Sequence, residues 1–236
     1  MIKIIFTILL FTSFSFSQSK SGLIFYGHKI NEMAIDTTKI QNDRVKNVIL
    51  NQFLQKKRIL SADVNVYKLS FDDKSSLFEP IKKLNSDAYN NYIKAVPEDK
   101  YYIDLKNDSI FRITNFSGNK YIIGKNNSSL KWKILEDNKI INGLKCNKAS
   151  TIIENSIGVK TKVIAWYSNE IPLNFGPVGY AGLPGLIIEL HLRENIYYFK
   201  SIIFKNIKVK NSFEGEHLSN EEYQNLFKNN NYIEKQ

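Results

Sequence analysis

The stretch Gly176-Pro-Val-Gly-Tyr-Ala-Gly-Leu-Pro-Gly-Leu-Ile-Ile-Glu-Leu190 joins the densest group of turn-forming residues in the chain to an apolar strand. Four of the eleven glycines and two of the five prolines lie between Gly176 and Gly185. Glycine allows backbone angles and close approaches that a Cβ atom forbids, and proline fixes its own φ angle. The pattern therefore predicts a rigid turn that leads directly into a core strand.

We assign eight residues to this motif, with either a structural or a recognition role: Gly176, Pro177, Gly182, Leu183, Pro184, Gly185, Leu186 and Ile187. A phosphate-binding loop is the competing interpretation of a glycine-rich segment. The glycines of dinucleotide-binding loops stand between a strand and a helix, whereas an extended strand follows this turn. The sequence also lacks a Gly-x-Ser-x-Gly nucleophile motif. We therefore predict no nucleotide and no cofactor here.

Short strands separated by turn residues surround the motif on both sides. Turns such as Ser117–Asn119 and Asp137–Asn138 are too short for the crossover that parallel strands require, so neighbouring strands should be antiparallel. The predicted strands are Lys100–Leu105, Ser109–Phe116, Lys120–Ile123, Leu130–Glu136, Lys139–Ile141, Leu144–Ile153, Val159–Ser168, Gly185–Arg193 and Ile196–Val209.

The first part of the domain adds a long helix to this meander. A strand is predicted within Ser21–Met33, and apolar residues at helical spacing predict an amphipathic helix over Thr37–Arg58. Alternation of period two follows from Ala62, and Ser75–Val96 is interpreted as irregular because of Pro80 and many asparagines.

A capping box at Ser219–Glu222 predicts a short C-terminal helix over Ser219–Phe227. The predicted fold class is α+β: a strongly bent antiparallel sheet, similar to a half-barrel, with the long helix packed on its concave side. We see no repeat and no linker.

The N-terminus has the pattern of a secretory signal. Lys3 precedes an apolar run from Ile4 to Phe16, which is too short to span a membrane comfortably. We predict a signal peptide over residues 1–17, a single domain over residues 18–236, and no transmembrane segment in the mature chain. The expected location is the periplasm or cell envelope, in soluble form.

Charge and cysteine content limit the function classes. The formal net charge is +10, but lysines scattered along the chain supply most of it and no arginine cluster occurs. We therefore predict no nucleic-acid binding. Cys146 is the only cysteine, so no internal disulfide can form, and we expect a buried, inert thiol.

One set of polar residues on the strand after the motif is a candidate site. Glu189, His191 and Arg193 alternate and should project from one face. They could bind an anion or one metal ion, or they could form a solvated strand face. His28 and His217 lie far from them without metal-ligand spacing. No catalytic, cofactor-binding or metal-binding residue is therefore assigned, and the many strand aromatics suggest an apolar groove instead.

Six separated pieces of sequence resemble, in order, the GLPGLI family of exported Bacteroidota proteins. They are Lys131–Ile134, Ile141–Ala149, Ala165–Tyr167, Glu170–Pro172, Gly176–Pro177 and Gly182–Ile187. This resemblance implies export, a Gram-negative source and a family of unknown function without an established activity or site.

The function that these observations predict is a non-enzymatic periplasmic binding or carrier module for a lipid-like ligand or a peptide. An envelope accessory protein that acts through contacts with a protein partner, and an uncharacterised enzyme, are the alternatives. Cavity geometry discriminates between them. A dry pocket of at least about 300 Å³ between helix and sheet would favour a carrier, whereas a polar cleft with shifted pKa values would favour an enzyme.

Overall fold

The computed structural model describes residues 21–31, 40–60, 67–81, 98–155 and 158–233. Within these ranges twelve strands form one sheet, and two helices flank it. The strands are β1 (Gly22–Ile30), β2 (Tyr67–Phe71), β3 (Ser75–Pro80), β4 (Lys100–Asp104), β5 (Ser109–Phe116), β6 (Asn119–Asn126), β7 (Lys133–Ile141), β8 (Leu144–Glu154), β9 (Lys160–Ser168), β10 (Leu186–Leu192), β11 (Asn195–Phe204) and β12 (Glu216–Leu218). The helices are α1 (Asp43–Leu60) and α2 (Asn220–Ile233).

The strand order is β12-β6-β5-β4-β3-β2-β1-β11-β10-β9-β8-β7. The chain builds one half of the sheet outward from β1 to β6, moves to the opposite edge at β7, and returns to β11. Strand β11 then pairs with β1. These neighbours are antiparallel, as predicted, whereas β12 runs parallel to β6. The predicted single meander is divided into two, because β6 and β7 lie at opposite ends of the sheet. The parallel pair is possible because a long connection separates its two strands.

The sheet bends strongly, as its cavity lining shows. Tyr101 of β4 and Leu192 of β10 line the same cavity, although β10 is the fifth strand from β4 in the sheet order. Adjacent strands lie about 4.8 Å apart, so a flat sheet would separate β4 from β10 by about 24 Å. The two halves of the sheet must therefore face each other across a concave inner surface.

Two predictions along the strands are wrong. The turn at Asp137–Asn138 is not formed, because Lys133–Ile141 is one strand whose register shifts between Ile134 and Asn138. A bulge of this kind accommodates extra residues without reversing the chain. Ser75–Pro80 is strand β3 and not irregular. Pro80 ends that strand, so its missing N–H affects the ladder only at the terminus. Residues 82–96 of the same predicted segment lie outside the described residues.

Helix α1 contacts the sheet only near its C-terminal end. Leu60 is buried, and Phe53 and Ile59 pack against the core. Lys56 forms a 3.3 Å ion pair with Glu194. Four other apolar residues of the helix are between 40% and 50% exposed: Val45, Val48, Leu50 and Leu54. The predicted packing of the whole helix along the concave surface is therefore not observed. The helix also begins at Asp43, later than the predicted Thr37, and residues 37–39 lie outside the described residues.

Helix α2 covers the opposite half of the sheet, next to β6. The Ser219 N–H donates to the Glu222 carboxylate at 2.7 Å, and the Glu222 N–H donates to the Ser219 hydroxyl at 3.1 Å. The predicted capping box is thus confirmed. Tyr223 is buried against Tyr121, with ring centroids 5.8 Å apart. In the described ranges no helix is long and apolar enough to cross a membrane.

Candidate functional site

A groove of about 470 Å³, here called the central groove, opens on the concave surface. Strands β4, β5 and β6 form one wall, and the ends of β8, β9 and β10 form the other. The start of α2 and the segment Gly176–Gly185, here called the glycine loop, complete it. Its charged, polar and tyrosine lining residues are Tyr101, Arg112, Lys125, Ser129, Glu154, Asn155, Thr161, Tyr180, Arg193, Asn220 and Gln224.

The glycine loop places a strained residue in the groove. Pro177–Gly179 forms a single helical turn, closed by a 3.1 Å hydrogen bond from the Tyr180 N–H to the Pro177 carbonyl oxygen. Val178 within it has a φ of 57° and a ψ of 33°. A β-branched residue rarely adopts this left-handed conformation, which costs about 1–3 kcal/mol. Both Val178 and Tyr180 line the groove.

The end of the loop is fixed by two glycines and by burial. Gly182 has a φ of +88°, and a Cβ added to Gly185 would lie 2.2 Å from the Ser168 carbonyl oxygen. Gly182 therefore satisfies a backbone angle and Gly185 a close approach. Of the remaining motif residues, Gly176, Pro177, Leu183, Leu186 and Ile187 are buried and Pro184 is exposed. The loop is consequently both a packed element and a wall of the groove.

Arg112 lies between an acidic and an aromatic partner. Its Nε donates to Asp99 at 2.7 Å, and its guanidinium lies 5.5 Å from the centroid of the Tyr223 ring. Burial alone lowers the pKa of Arg112, but Coulombic interactions with Tyr101 and Asp99 more than offset it, so the pKa is raised. Arg112 is thus a fixed cation whose charge Asp99 already balances.

Lys125 has a different environment at the same wall. Its ammonium group lies 5.6 Å from the centroid of the Tyr180 ring. It is open to solvent at the groove, yet desolvation by the groove walls lowers its pKa. Desolvation likewise raises the pKa values of Tyr101 and Tyr180, so both side chains stay neutral phenols.

A second polar cluster lies on the opposite, convex face of the sheet. We call Glu189, His191, Lys139, Lys29 and Trp166 the outer cluster. Glu189 accepts from Lys139 at 2.8 Å and from His191 at 2.7 Å, and Lys29 lies 3.8 Å away. Lys139 also lies 4.3 Å from the centroid of the Trp166 ring. Burial alone raises the pKa of Glu189, but the hydrogen bonds from His191 and Lys139 lower it to about 2.

The structure brings Glu189 and His191 together but separates Arg193 from them. Strand β10 ends at Leu192, so the alternation that places Arg193 on their face stops one residue too early. Arg193 is the first of two turn residues between β10 and β11, and its φ is +54°. Its side chain lines the central groove and not the outer cluster.

The other residues considered for chemistry are accounted for by packing. Cys146 is 1% exposed, and burial raises the pKa of its thiol to about 11, so the thiolate is strongly disfavoured at neutral pH. His28 is stacked on Tyr197 with centroids 4.7 Å apart, and burial lowers its pKa to about 4. Within the described residues, no group of three or more His, Cys, Asp and Glu side chains is placed to hold a metal ion.

A second cavity of about 450 Å³ lies beside β4, β5 and β6, against the segment 212–214. Lys100 in its lining forms a 2.8 Å ion pair with Glu79, which Lys68 also contacts at 3.2 Å. Both lysines thus pair with the same carboxylate. The central groove, which joins both halves of the sheet and contains strained residues, is the stronger candidate site.

A family described as N-glycanase peptide, N-terminal domain, matches residues 78–228 of the sequence. This chain belongs to that family. The lining residues named above, from Tyr101 to Gln224, all lie inside the matched range. The family is therefore defined on the part of the chain that builds the groove.

Two solved structures of PNGF-II resemble the chain. The one in space group P21 has a TM-score of 0.52 and 16% sequence identity, and the match covers 88% of this chain and 33% of that chain. The one in space group C2 has a TM-score of 0.49 and 15% identity over 88% and 32% of the respective chains. The first likeness shows a shared fold, and this chain spans about a third of that protein's length. No curated protein sequence matches the chain.

The resemblance to the GLPGLI family is wrong, because the family match identifies an N-glycanase domain instead. The hexapeptide Gly182–Ile187 can be explained without membership of the GLPGLI family, because a tight turn with two glycines precedes a buried strand here. The Gram-negative source and the unknown function rested on that resemblance alone, so neither is supported.

The carrier function for an apolar ligand is also wrong, since the family is described as an N-terminal domain of an N-glycanase. Of the three predicted classes, the uncharacterised enzyme is closest to the family. The groove is also not a purely apolar pocket, because charged and amide side chains share its lining with aliphatic ones.

Sequence reasoning missed most of the groove residues. Arg112, Lys125, Tyr101 and Tyr180 belong to strands and a loop that only the bend of the sheet brings together. One signal could have indicated them: two of the four arginines in the lysine-rich sequence, Arg112 and Arg193, line the groove.

Proposed function

We propose that this chain acts in the removal of N-linked glycans and that the central groove holds the glycan-bearing part of the substrate. The observation that carries the proposal is the coincidence of the groove with the range matched by the N-glycanase domain family. The groove volume of about 470 Å³ is in the range of pockets that bind small ligands.

The lining chemistry suits a hydroxyl-rich ligand. Asn220 and Gln224 project from successive turns of one face of α2, because they are four residues apart. An amide side chain offers two donors and an acceptor, so each can pair with a sugar hydroxyl as donor or acceptor. Thr161 and Ser129 add hydroxyl groups on the facing walls. A peptide that carries an N-linked glycan would present such hydroxyl groups to the groove.

We assign substrate holding, and not bond cleavage, to the groove. Hydrolysis requires groups that activate water and protonate the leaving group. Among the described lining residues the one carboxylate is Glu154, which is exposed and lies 3.9 Å from Lys160. Asp99, next to the groove, is held by Arg112. This distribution supports recognition of the glycan in a longer N-glycanase architecture.

Calorimetric titration tests the proposal. The full chain is titrated with an N-glycosylated peptide and with the same peptide lacking the glycan, and mass spectrometry follows any product. We expect binding only of the glycosylated form and no cleavage. Asn220→Ala with Gln224→Ala should abolish binding, whereas Asn225→Ala, at an exposed position of the same helix, should not. Equal binding of both peptides would overturn the proposed function, and product formation would overturn the assignment of holding alone.

Export is a second part of the proposal, supported by the N-terminal pattern of Lys3 followed by an apolar run. Residues 1–17 lie outside the described residues. N-terminal sequencing of the protein recovered from cells that make it should begin at Gln18. A chain that retains Met1 would contradict export by this signal.

A further inference from the structure

We infer that the central groove recognises a negatively charged group on the glycan, namely a carboxylate, sulfate or phosphate ester carried by one of its sugars. This inference rests on the proposed function and adds the substrate class. It is carried by two cations, Lys125 and Arg193, that face the same groove from opposite halves of the sheet.

First, the described residues that line the groove carry more positive than negative charge. Arg112, Lys125 and Arg193 line it together with a single carboxylate among the described residues, that of Glu154. Asp99 engages Arg112 at 2.7 Å, and Lys160 engages Glu154 at 3.9 Å. Within the described residues no ion pair includes Lys125 or Arg193. Two positive charges are thus left for a ligand.

The second step is the position of these two cations around one aromatic side chain. The Lys125 ammonium group lies 5.6 Å from the centroid of the Tyr180 ring. The charge of Arg193 acts on the Tyr180 hydroxyl from the other wall, lowering the pKa of a group that burial otherwise raises. Lys125, Arg193 and Tyr180 all line this one groove, and an anionic group bound there would be attracted by both cations.

The third step is the backbone at Arg193. A two-residue hairpin turn whose first residue has positive φ favours glycine at that position. Here the position is occupied by arginine with a φ of +54°. Conformations of this kind persist where the surrounding structure requires them, and they concentrate at ligand sites. The turn directs the guanidinium into the groove, away from the outer cluster to which the strand alternation would assign it.

The desolvation of Lys125 supports the same assignment. The walls of the groove lower the pKa of Lys125, which disfavours its charged form when no anion is bound. An anion beside it would compensate that charge, and the interaction would be stronger than in open water because of the lower local dielectric constant. A glycan with an acidic sugar brings both the hydroxyl groups that Asn220 and Gln224 can bind and the negative charge.

The test is a calorimetric titration of the full chain with two glycopeptides. One carries N-glycans with acidic sugars, and the other is the same glycopeptide after enzymatic removal of those sugars. We expect the acidic form to bind about tenfold more tightly, as for one charge-assisted contact. The preference should shrink as salt is raised from 0.05 to about 0.5 M, because screening weakens it.

Variants locate the effect. Arg193→Gln and Lys125→Gln should each remove most of the difference in affinity between the acidic and the neutral glycopeptide. Arg44→Gln and Lys133→Gln remove one positive charge at exposed positions outside the groove and should leave the preference intact. Circular dichroism checks that each variant is folded, and Lys125→Gln, in a regular strand, keeps the test valid if the turn variant is not.

The outcomes distinguish failure of the anion inference from failure of the proposed function. Equal affinity for the acidic and neutral glycopeptides overturns the anion inference and leaves the proposed function standing. Binding of neither form overturns the proposed function together with this inference. If inorganic sulfate or phosphate binds in a manner that needs Arg193 while the acidic glycopeptide gains nothing over the neutral one, the site serves a free anion, and the assignment to the glycan is wrong.

Discussion

The central groove and the outer cluster lie on opposite faces of the same sheet, and both contain lysines next to aromatic rings. In the outer cluster, Lys139 lies over Trp166 and also donates to the buried carboxylate of Glu189 at 2.8 Å. In the groove, Lys125 lies over Tyr180, and no ion pair of the described residues includes it. In the outer cluster each charged side chain contacts one of opposite sign. In the groove the charge of Lys125 is left for a ligand.

The presence or absence of a partner of opposite charge separates polar residues that stabilise the fold from polar residues that can bind a ligand. A charge that the fold already balances contributes to stability, and removing it leaves a partner unsatisfied. A charged side chain in a groove that has no such partner contributes little to stability and is a candidate for ligand binding. The predictions below separate the two regions by opposite effects on stability and binding.

The largest effect is expected at the turn on which the groove wall depends. Gly185→Ala should lower the free energy of unfolding by at least about 3 kcal/mol, because the added Cβ would overlap the Ser168 carbonyl oxygen. Gly118→Ala is the matched control, since its Cβ would meet nothing within 4 Å and only the positive φ of +82° opposes it, at about 1 kcal/mol. Urea unfolding measures both. Equal losses would show that the close approach at Gly185 is unimportant.

Glu189→Gln should lower the free energy of unfolding by about 2 kcal/mol at pH 7, because the charge-assisted contacts of Glu189 are lost. The effect is limited to this size because its two lysine partners are partly exposed to solvent. The folded-state pKa of Glu189 is depressed, from 4.5 to about 2. The stabilisation is therefore fully present above pH 4.5 and is lost as the pH falls towards 2.

Urea unfolding of wild type and Glu189→Gln at pH 7 and pH 3 checks this window: the difference should narrow at the lower pH. Affinity for the N-glycosylated peptide at pH 7 should be the same in both proteins. A gap that stays constant with pH would show that the carboxylate charge does not stabilise the fold. A loss of affinity would place Glu189 in the ligand site and remove the contrast between the two faces.

Arg193→Gly should affect stability and binding in opposite directions. Glycine tolerates the φ of +54°, so thermal unfolding should show a gain of about 1 kcal/mol. The same variant should lose the preference for the acidic glycopeptide in calorimetry. A loss of stability would mean that Arg193 makes contacts that the fold needs, and the strain would then have no functional meaning.

The smallest effect compares the two lysines directly. Lys139→Met should cost about 1 kcal/mol, because it leaves Glu189 with one strong partner fewer. Lys125→Met should change the free energy of unfolding by no more than about 0.5 kcal/mol, because the side chain is exposed and pairs with no carboxylate of the described residues. Parallel urea titrations give both values. Losses of equal size at both positions would show that the fold balances the charge of Lys125 after all.

The regular part of the fold could be predicted from the sequence, because local patterns determine it. Strand β5 was predicted with its observed bounds, Ser109–Phe116, and the capping box at Ser219–Glu222 is present as two hydrogen bonds. The errors arose where tertiary structure overrides the local pattern. In β7 a register shift allows polar residues to lie within a continuous strand. In β3 Pro80 is tolerated because it is the last residue of the strand.

The groove could not be predicted in the same way. Its walls come from two halves of a sheet that the chain builds from opposite edges, so Lys125 and Arg193 meet only after β11 pairs with β1. Alternation assigned Arg193 to the face of Glu189, and a single left-handed residue reverses that assignment. The GLPGLI resemblance failed for a related reason: a turn followed by a buried strand is a physical necessity of many folds and identifies none of them.

Chemical-shift mapping of the ¹⁵N-labelled full chain, titrated with an N-glycosylated peptide, tests most directly whether the concave face holds the glycan. We predict the largest amide shifts at Lys125, at Val178 and Tyr180 of the glycine loop, and at Asn220, with no change at Lys139 or Glu189. Shifts confined to the outer cluster, or no shifts at all with a peptide that carries the glycan, would contradict the assignment of the central groove.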